Sequence, residues 1–153
     1  MKYSRWLAGF FLMLVCGLAM AKGTVRGNET VLIWGDSLSA AYGMDVNRGW
    51  VALLREKLNG HDITIVNGSI SGETTQGGLT RLPNALERHE PSLVVLQLGA
   101  NDGLRGLPVK RMRENLQEMI DMSRKAGADV LLLGMHIPPN FGPFYARQFS
   151  KAF

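Results

Sequence analysis

The fold of this chain is decided by the stretch VLIWGDSLSAAYG, residues 31–43. Its first four residues are apolar without alternation, and Gly35 ends the run directly before Asp36 and Ser37. A short apolar segment bounded by glycine is typical of a buried strand. We therefore predict a strand over residues 30–34 that presents a serine at its carboxyl end, just before a helical turn.

The rest of the chain alternates between strand and helix patterns. Short apolar runs predict further strands over residues 63–66, 93–98 and 130–133, and helical stripes predict helices over 49–58, within 75–88, over 108–126 and from 144 onward. Pro83 is tolerated best in a first helical turn, so the start of the second helix is left open. Apolar strands separated by helices predict an α/β domain, with a parallel sheet covered on both faces.

Three predicted strand ends carry glycine together with polar residues. They are GDSLS at 35–39, NGSISGET at 67–74 and GANDG at 99–103. Because the carboxyl ends of parallel strands meet at one edge of the sheet, where ligands bind, these loops are expected to form one site.

These loops contain the parts of a serine nucleophile site. Ser37 could attack a carbonyl carbon, while its own N–H, the N–H of Gly72 and the amide of Asn101 could stabilise the oxyanion. Each residue also has an ordinary structural interpretation, because serine caps helices and Gly72 and Asn101 suit turns. We interpret Asp36 and Asp102 as hydrogen-bonding organisers of their loops rather than as acid–base groups.

The blocks GDSLS, SGET and GAND, followed by NDGLRG, occur in the order found in the SGNH, or GDSL, hydrolases, which the chain resembles. The resemblance implies a flavodoxin-like three-layer α/β/α sandwich that hydrolyses aryl esters, acyl-CoA thioesters or lysophospholipids. It also implies that Ser37 is the nucleophile and that Ser37, Gly72 and Asn101 form the oxyanion hole. Leu104 and Leu107 would line an acyl groove, with packing on the helix below as the alternative.

The sequence departs from the family at its fourth block, Asp-x-x-His, which supplies the base and the acid that orients it. None of the aspartates is followed by histidine three residues later. His61 and His89 precede strands, at the far end of the sheet. His136 follows the fourth strand and could reach the pocket rim, although contact with the neighbouring PPNFG loop is the simpler interpretation. We expect a C-terminally truncated domain without the last strand and helix, with a bare edge at strand four and little activity.

The first 21 residues have the pattern of a secretory signal peptide. Lys2 and Arg5 precede the apolar run 6–20, and Ala-Met-Ala at 19–21 suits cleavage. We predict a signal peptide over 1–21, a hydrolase domain over 22–153 and a periplasmic or secreted location, with an uncleaved membrane anchor as the alternative. The sole cysteine, Cys16, lies in this segment, so residues 22–153 contain no thiol for a disulfide or a metal.

Composition narrows the class of partner. The formal net charge is +4 without a run of lysine or arginine, which argues against nucleic acid. No cofactor or metal is expected, because G-x-G-x-x-G after a strand, P-loop and H-E-x-x-H motifs are all absent. Small acyl esters or thioesters are the expected ligands, with transient contact to lipid substrates. The oligomeric state is open, and a non-catalytic acyl- or glycan-binding module and a carbohydrate acetylesterase remain as alternatives.

Overall fold

The computed structural model describes residues 29–153, so the predicted signal peptide and the residues up to 28 lie outside the described part. The elements run in the order β1 (Glu29–Gly35), α1 (Trp50–Lys57), β2 (Ile63–Asn67), α2 (Thr75–His89), β3 (Leu93–Gln97), α3 (Ala100–Leu104), α4 (Val109–Lys125), β4 (Asp129–Leu132) and α5 (Pro143–Ser150). Short 3-10 turns occupy Val46–Arg48 and Pro139–Phe141. In this described range, no helix has the length and apolar character that crossing a membrane requires.

The four strands form one sheet in the order β2-β1-β3-β4, and all neighbours run parallel. Ile33 of β1 lies between Asn67 of β2 and Val95 of β3, so β1 has a partner on both sides. Gly35 at the end of β1 pairs with Gln97 at the end of β3. The loops that follow these two strands therefore begin side by side, and the predicted parallel sheet is confirmed.

Helices cover both faces of the sheet, because successive residues of a strand point to opposite faces. One core packs between the sheet and α2, α4 and α5, and its fully buried members include Leu32, Leu82, Leu96, Met119 and Phe149. The second core lies on the face beneath α1 and contains Val31, Ile33, Val51, Ile65 and Val95. This three-layer α/β/α arrangement is the predicted fold. As expected, β4 forms one edge of the sheet in the described range, and Leu131 on it is 50% exposed.

Two local expectations were wrong. Pro83 lies in the middle of α2 rather than in its first turn, because the helix begins at Thr75, where the Thr74 hydroxyl accepts a hydrogen bond from the Gly77 N–H. Pro83 is exposed, and its missing N–H costs only the helical bond to the carbonyl of Leu79. The segment around Asn101, which alone suggested a turn or cap, is the short helix α3.

The connection after β1 is a series of tight turns. The Ala40 N–H donates to the Asp36 carbonyl at 2.9 Å, and the Tyr42 N–H donates to the Ser37 carbonyl at 3.1 Å. The predicted helical turn after Ser37 is therefore present as a single turn, without a regular helix until α1. This connection keeps Ser37 at the carboxyl edge of the sheet.

Candidate active site

The three loops at the carboxyl ends of β1, β2 and β3 line one open cavity of about 350 Å³. Its lining residues are Ser37, Tyr42, Ser71, Gly72 and Asn101. The structure thus brings together the three residues predicted for the nucleophile and the oxyanion hole. The strand order explains this, because β1 lies between the two strands that carry the other loops.

Ser37 and Gly72 both present backbone N–H groups that are available to a ligand. Within residues 29–153, no protein acceptor takes the N–H or the hydroxyl of Ser37, or the N–H of Gly72. Gly72 has a φ of 78°, a left-handed conformation that favours glycine. The Arg105 Nη2 group donates to the Gly72 carbonyl at 2.9 Å, which holds the peptide group that follows Gly72.

The fully buried carboxylate of Asp36 organises the turn that carries Ser37. It accepts hydrogen bonds from the Leu38 N–H at 3.1 Å, Gln97 Nε2 at 3.0 Å and Asn101 Nδ2 at 3.3 Å. These contacts agree with the interpretation of Asp36 as an organiser. Gln97 is a site-supporting residue that the sequence interpretation missed, although a lone glutamine ending an apolar buried strand was a usable signal.

The Asn101 amide is engaged on both of its hydrogens. Its Nδ2 atom donates to the Glu73 carbonyl at 3.0 Å and to Asp36 Oδ2 at 3.3 Å. A substrate oxyanion would therefore receive a hydrogen bond from Asn101 by replacing the longer of these bonds. The role of Asn101 as a third oxyanion donor stays a prediction.

No histidine of residues 29–153 lies against the Ser37 cavity. The exposed ring of His136 places Nδ1 3.0 Å from the hydroxyl of Ser150, and His136 is not among the residues lining that cavity. His61 precedes β2 and His89 ends α2, which places both at the amino end of the sheet. The geometry therefore gives no support to His136 as a substitute base.

The acidic side chain closest in sequence to Gly72 is also engaged. Glu73 forms an ion pair with Arg81 at 2.7 Å, and the Arg81 guanidinium stacks 4.3 Å from the centre of the Trp34 ring. Among residues 29–153, no three His, Cys, Asp or Glu side chains lie close enough together to hold a metal ion. The cavity thus offers a hydroxyl and hydrogen-bond donors.

Leu104 and Leu107 do not line the Ser37 cavity. They are 50% and 38% exposed, so each is partly covered by the protein. Leu107 borders a second cavity of about 550 Å³, where its carbonyl accepts a 2.7 Å hydrogen bond from the Tyr145 hydroxyl. Burial, and then the charge of Asp102, raise the pKa of Tyr145. Their place in an acyl groove stays a prediction.

The model of the GDSL-like Lipase/Acylhydrolase family matches residues 33–152. The chain belongs to this family. The match begins within β1 and includes the three glycine-containing loops and α5, so all the residues of the Ser37 cavity fall inside it. Membership of the GDSL-like family agrees with the resemblance carried by GDSLS, SGET and GAND.

Three curated relatives of this GDSL-like chain have the names of enzymes. Esterase TesA of Pseudomonas aeruginosa is 50% identical over 127 residues, which cover 82% of this chain and 63% of that protein. An arylesterase of Vibrio mimicus is 47% identical over 81% of this chain and 63% of its own length. Thioesterase 1/protease 1/lysophospholipase L1 of Escherichia coli K12 is 40% identical over 97% of this chain and 69% of its own length. The GDSL-like chain thus spans less than two thirds of the length of the first two.

Solved structures of the family share the fold. The crystal structure of TesA superposes with a TM-score of 0.79 and 50% identity, covering 82% of this chain and 71% of that one. The psychrotrophic esterase EstA from Pseudoalteromonas sp. gives the same TM-score and identity, covering 82% of this chain and 69% of that one. AlinE4, an SGNH-hydrolase family esterase, gives a TM-score of 0.77 at 36% identity, covering 82% of this chain and 69% of that one. The GDSL-like chain therefore has the fold of the SGNH hydrolases.

Proposed function

We propose that this chain hydrolyses acyl esters and thioesters, with Ser37 as the nucleophile. The observation that carries the proposal is the cavity shared by Ser37, Gly72 and Asn101, in which the Ser37 and Gly72 N–H groups have no acceptor within residues 29–153. These are the groups that a tetrahedral acyl intermediate requires. Family membership and the esterase names of the relatives support the same reaction class.

The proposed reaction has two halves. The Ser37 oxygen attacks the carbonyl carbon as its proton passes to a base, and collapse of the intermediate breaks the bond to the alcohol or thiol, which leaves with that proton. Water then hydrolyses the acyl-serine by the same steps. The oxyanion would accept hydrogen bonds from Ser37, Gly72 and Asn101, and each such donor is worth roughly 3 kcal/mol of barrier.

The proton acceptor is the weak part of this site. Residues 29–153 place no histidine at the cavity, and the sequence contains no Asp-x-x-His block. Loss of a triad member leaves roughly 10³–10⁴-fold catalysis over water. We therefore propose that the activity of this chain is small and is limited by transfer of the Ser37 proton.

An added base tests this proposal. We expect p-nitrophenyl butyrate hydrolysis by the full chain to be slow and to rise with imidazole, which can accept the Ser37 proton. In Ser37→Ala, the protein-dependent rate is expected to fall by at least about tenfold, leaving only hydrolysis by free imidazole. With imidazole present, a fluorophosphonate should label Ser37 in the parent, as read by mass spectrometry.

Three outcomes would contradict the proposal. Equal protein-dependent rates for the parent and Ser37→Ala at every imidazole concentration would exclude Ser37 as the nucleophile. Fast turnover without imidazole that disappears in His136→Ala would show that His136 serves as the base. Absence of fluorophosphonate labelling would favour the second candidate, a non-catalytic acyl-binding module. The lack of a base at the cavity is the observation that favours this candidate.

The substrate class is proposed from the names of the relatives. An arylesterase and a thioesterase 1/protease 1/lysophospholipase L1 are among them, so we propose aryl esters, acyl thioesters and lysophospholipids as substrates of this chain. We also propose a periplasmic or secreted location, supported by the signal-peptide pattern of residues 1–21.

Leu107→Asp tests whether the chain accepts long acyl groups. Because Leu107 follows α3 and is partly exposed, a carboxylate there should weaken binding of an apolar chain while the loop remains hydrated. We expect kcat/KM to fall by about tenfold for p-nitrophenyl decanoate and by less than about twofold for the acetate. Equal losses on both esters would assign Leu107 a folding role, and a preference for acetate in the parent would favour an acetylesterase.

A further inference from the structure

A buried carboxylate lies directly behind the proposed oxyanion hole. Asp102 follows Asn101 on α3 and is 3% exposed. Its two oxygens accept hydrogen bonds from one residue, Thr75: Oδ2 from the N–H at 2.8 Å and Oδ1 from the hydroxyl at 2.6 Å. Thr75 is the first residue of the 15-residue helix α2, where the helix dipole favours a negative charge. The contact is therefore a pair of short, charge-assisted hydrogen bonds.

A third element fixes the Thr75 hydroxyl. Asn115 Nδ2, on α4, donates to this oxygen at 3.0 Å. Because the hydroxyl has one hydrogen, which goes to Asp102, its orientation is fixed by its two partners. Thr75 and Asn115 are 0% and 2% exposed. We name Asp102, Thr75 and Asn115 the clamp, which joins α2, α3 and α4 away from water.

The clamp connects the two loops that bring Gly72 and Asn101 to the cavity. Gly72 lies three residues before Thr75, and Asn101 is the residue before Asp102. A second tie runs beside the clamp, because Asn101 Nδ2 also donates to the Glu73 carbonyl at 3.0 Å. The clamp residues do not themselves line the cavity. Their effect on a bound acyl group must therefore pass through Gly72 and Asn101.

We propose that Asp102 is a positioning residue whose bonds to Thr75 set the distance between the Gly72 N–H and the Asn101 amide. The inference rests on the proposed function, because it assigns these two groups to one oxyanion. Movement of a reacting or stabilising group by about 1 Å can cost about 100-fold in rate. Loosening the clamp should therefore lower kcat and leave KM nearly unchanged, since the oxyanion forms only after substrate binds.

Two substitutions break the clamp in different ways. Thr75→Val removes the hydroxyl and keeps the backbone N–H, whereas Thr75→Ser keeps both donors. The two bonds from Thr75 go to different oxygens of Asp102, and Asp102→Asn replaces one of these oxygens by a donor NH₂ group, so the amide cannot keep both bonds in their present geometry. Thr80→Val is the matched control, because Thr80 is exposed on the same helix and its hydroxyl donates to the carbonyl of Gln76.

The experiment measures imidazole-assisted p-nitrophenyl butyrate hydrolysis of folded variants of the full chain. We expect kcat to fall by about 10–100-fold in Thr75→Val and Asp102→Asn, with KM within about twofold. Thr75→Ser and Thr80→Val should stay within about threefold of the parent. Thr75→Val and Asp102→Asn variants that fold and keep the parent kcat would overturn the inference, as would a loss confined to KM.

A second measurement separates this inference from the proposed function. If the parent shows no Ser37-dependent hydrolysis, the proposed function fails, and the clamp is then tested by NMR. The inference expects the Gly72 N–H and Asn101 side-chain amide resonances to shift in Thr75→Val and to remain in place in Thr80→Val. Unchanged resonances in Thr75→Val would overturn it, whatever the activity of the parent.

Discussion

Replacing Phe149 by alanine is expected to lower the free energy of unfolding by about 3–5 kcal/mol. Phe149 on α5 is fully buried, and its ring meets that of Phe153 edge-on at 5.5 Å between centroids. It also packs on α3 so closely that a Cβ atom at Gly103 would lie 2.6 Å from the ring. The substitution removes apolar burial and leaves a cavity beside the helix that carries Asn101.

The matched control is Phe144→Ala on the same helix. Phe144 is 67% exposed, so its removal should change the free energy of unfolding by less than about 0.5 kcal/mol. Urea denaturation with an unchanged m-value measures both effects. A loss below about 1.5 kcal/mol for Phe149→Ala, or equal losses for the two variants, would contradict the packing described for α5.

The second large effect is expected for Asp36→Ala. The substitution leaves the Leu38 N–H, Gln97 Nε2 and Asn101 Nδ2 without their shared acceptor. Each buried donor that loses its acceptor costs about 1–3 kcal/mol, so a loss of about 2–4 kcal/mol is expected after partial relaxation. Because the turn holding Ser37 loses its anchor, fluorophosphonate labelling of Ser37 should also slow by at least about tenfold.

Asp36→Asn dissects this effect. The Leu38 N–H and Gln97 Nε2 both bond to Oδ1, whereas Asn101 bonds to Oδ2. An asparagine oxygen can keep the first two bonds, and its amide then faces the Asn101 amide as a second donor. We expect a smaller stability loss, of about 1–2 kcal/mol. Asp45→Ala, which removes an exposed cap of the Asn47 N–H, is the control, and a loss as large there would contradict the role of Asp36.

Fold class and the gathering of the site loops were predictable from local patterns. Apolar runs without alternation predict the parallel sheet. Glycine and polar residues follow three of these runs, and they predict which edge of the sheet carries the candidate site. α3 escaped prediction because Asn-Asp-Gly favours a turn when taken alone. In the structure, the Asp102 bonds to Thr75 and the packing of Gly103 against Phe149 hold that segment helical.

Buried polar partners were the hardest part of the site to predict. Asn115 lies on the apolar face of α4, between Met112 and Leu116, and is buried because Thr75 supplies a hydrogen bond. Pro83 suited a first turn by its own chemistry, yet the Thr74 cap starts α2 earlier. For Asn115 a contact distant in sequence outweighs the local preference, whereas for Pro83 the helix cap at Thr74 does so.

The position of β1 inside the sheet has a consequence for how the site opens and closes over time. Amides of β1 and β3, each flanked by two strands, should exchange with deuterium only on global unfolding, and those of the edge strand β2 should exchange sooner. Ser37 and Asn101 follow the slow strands, whereas Gly72 follows the fast one. We therefore expect the local fluctuations of the proposed oxyanion hole to begin in the loop of Gly72.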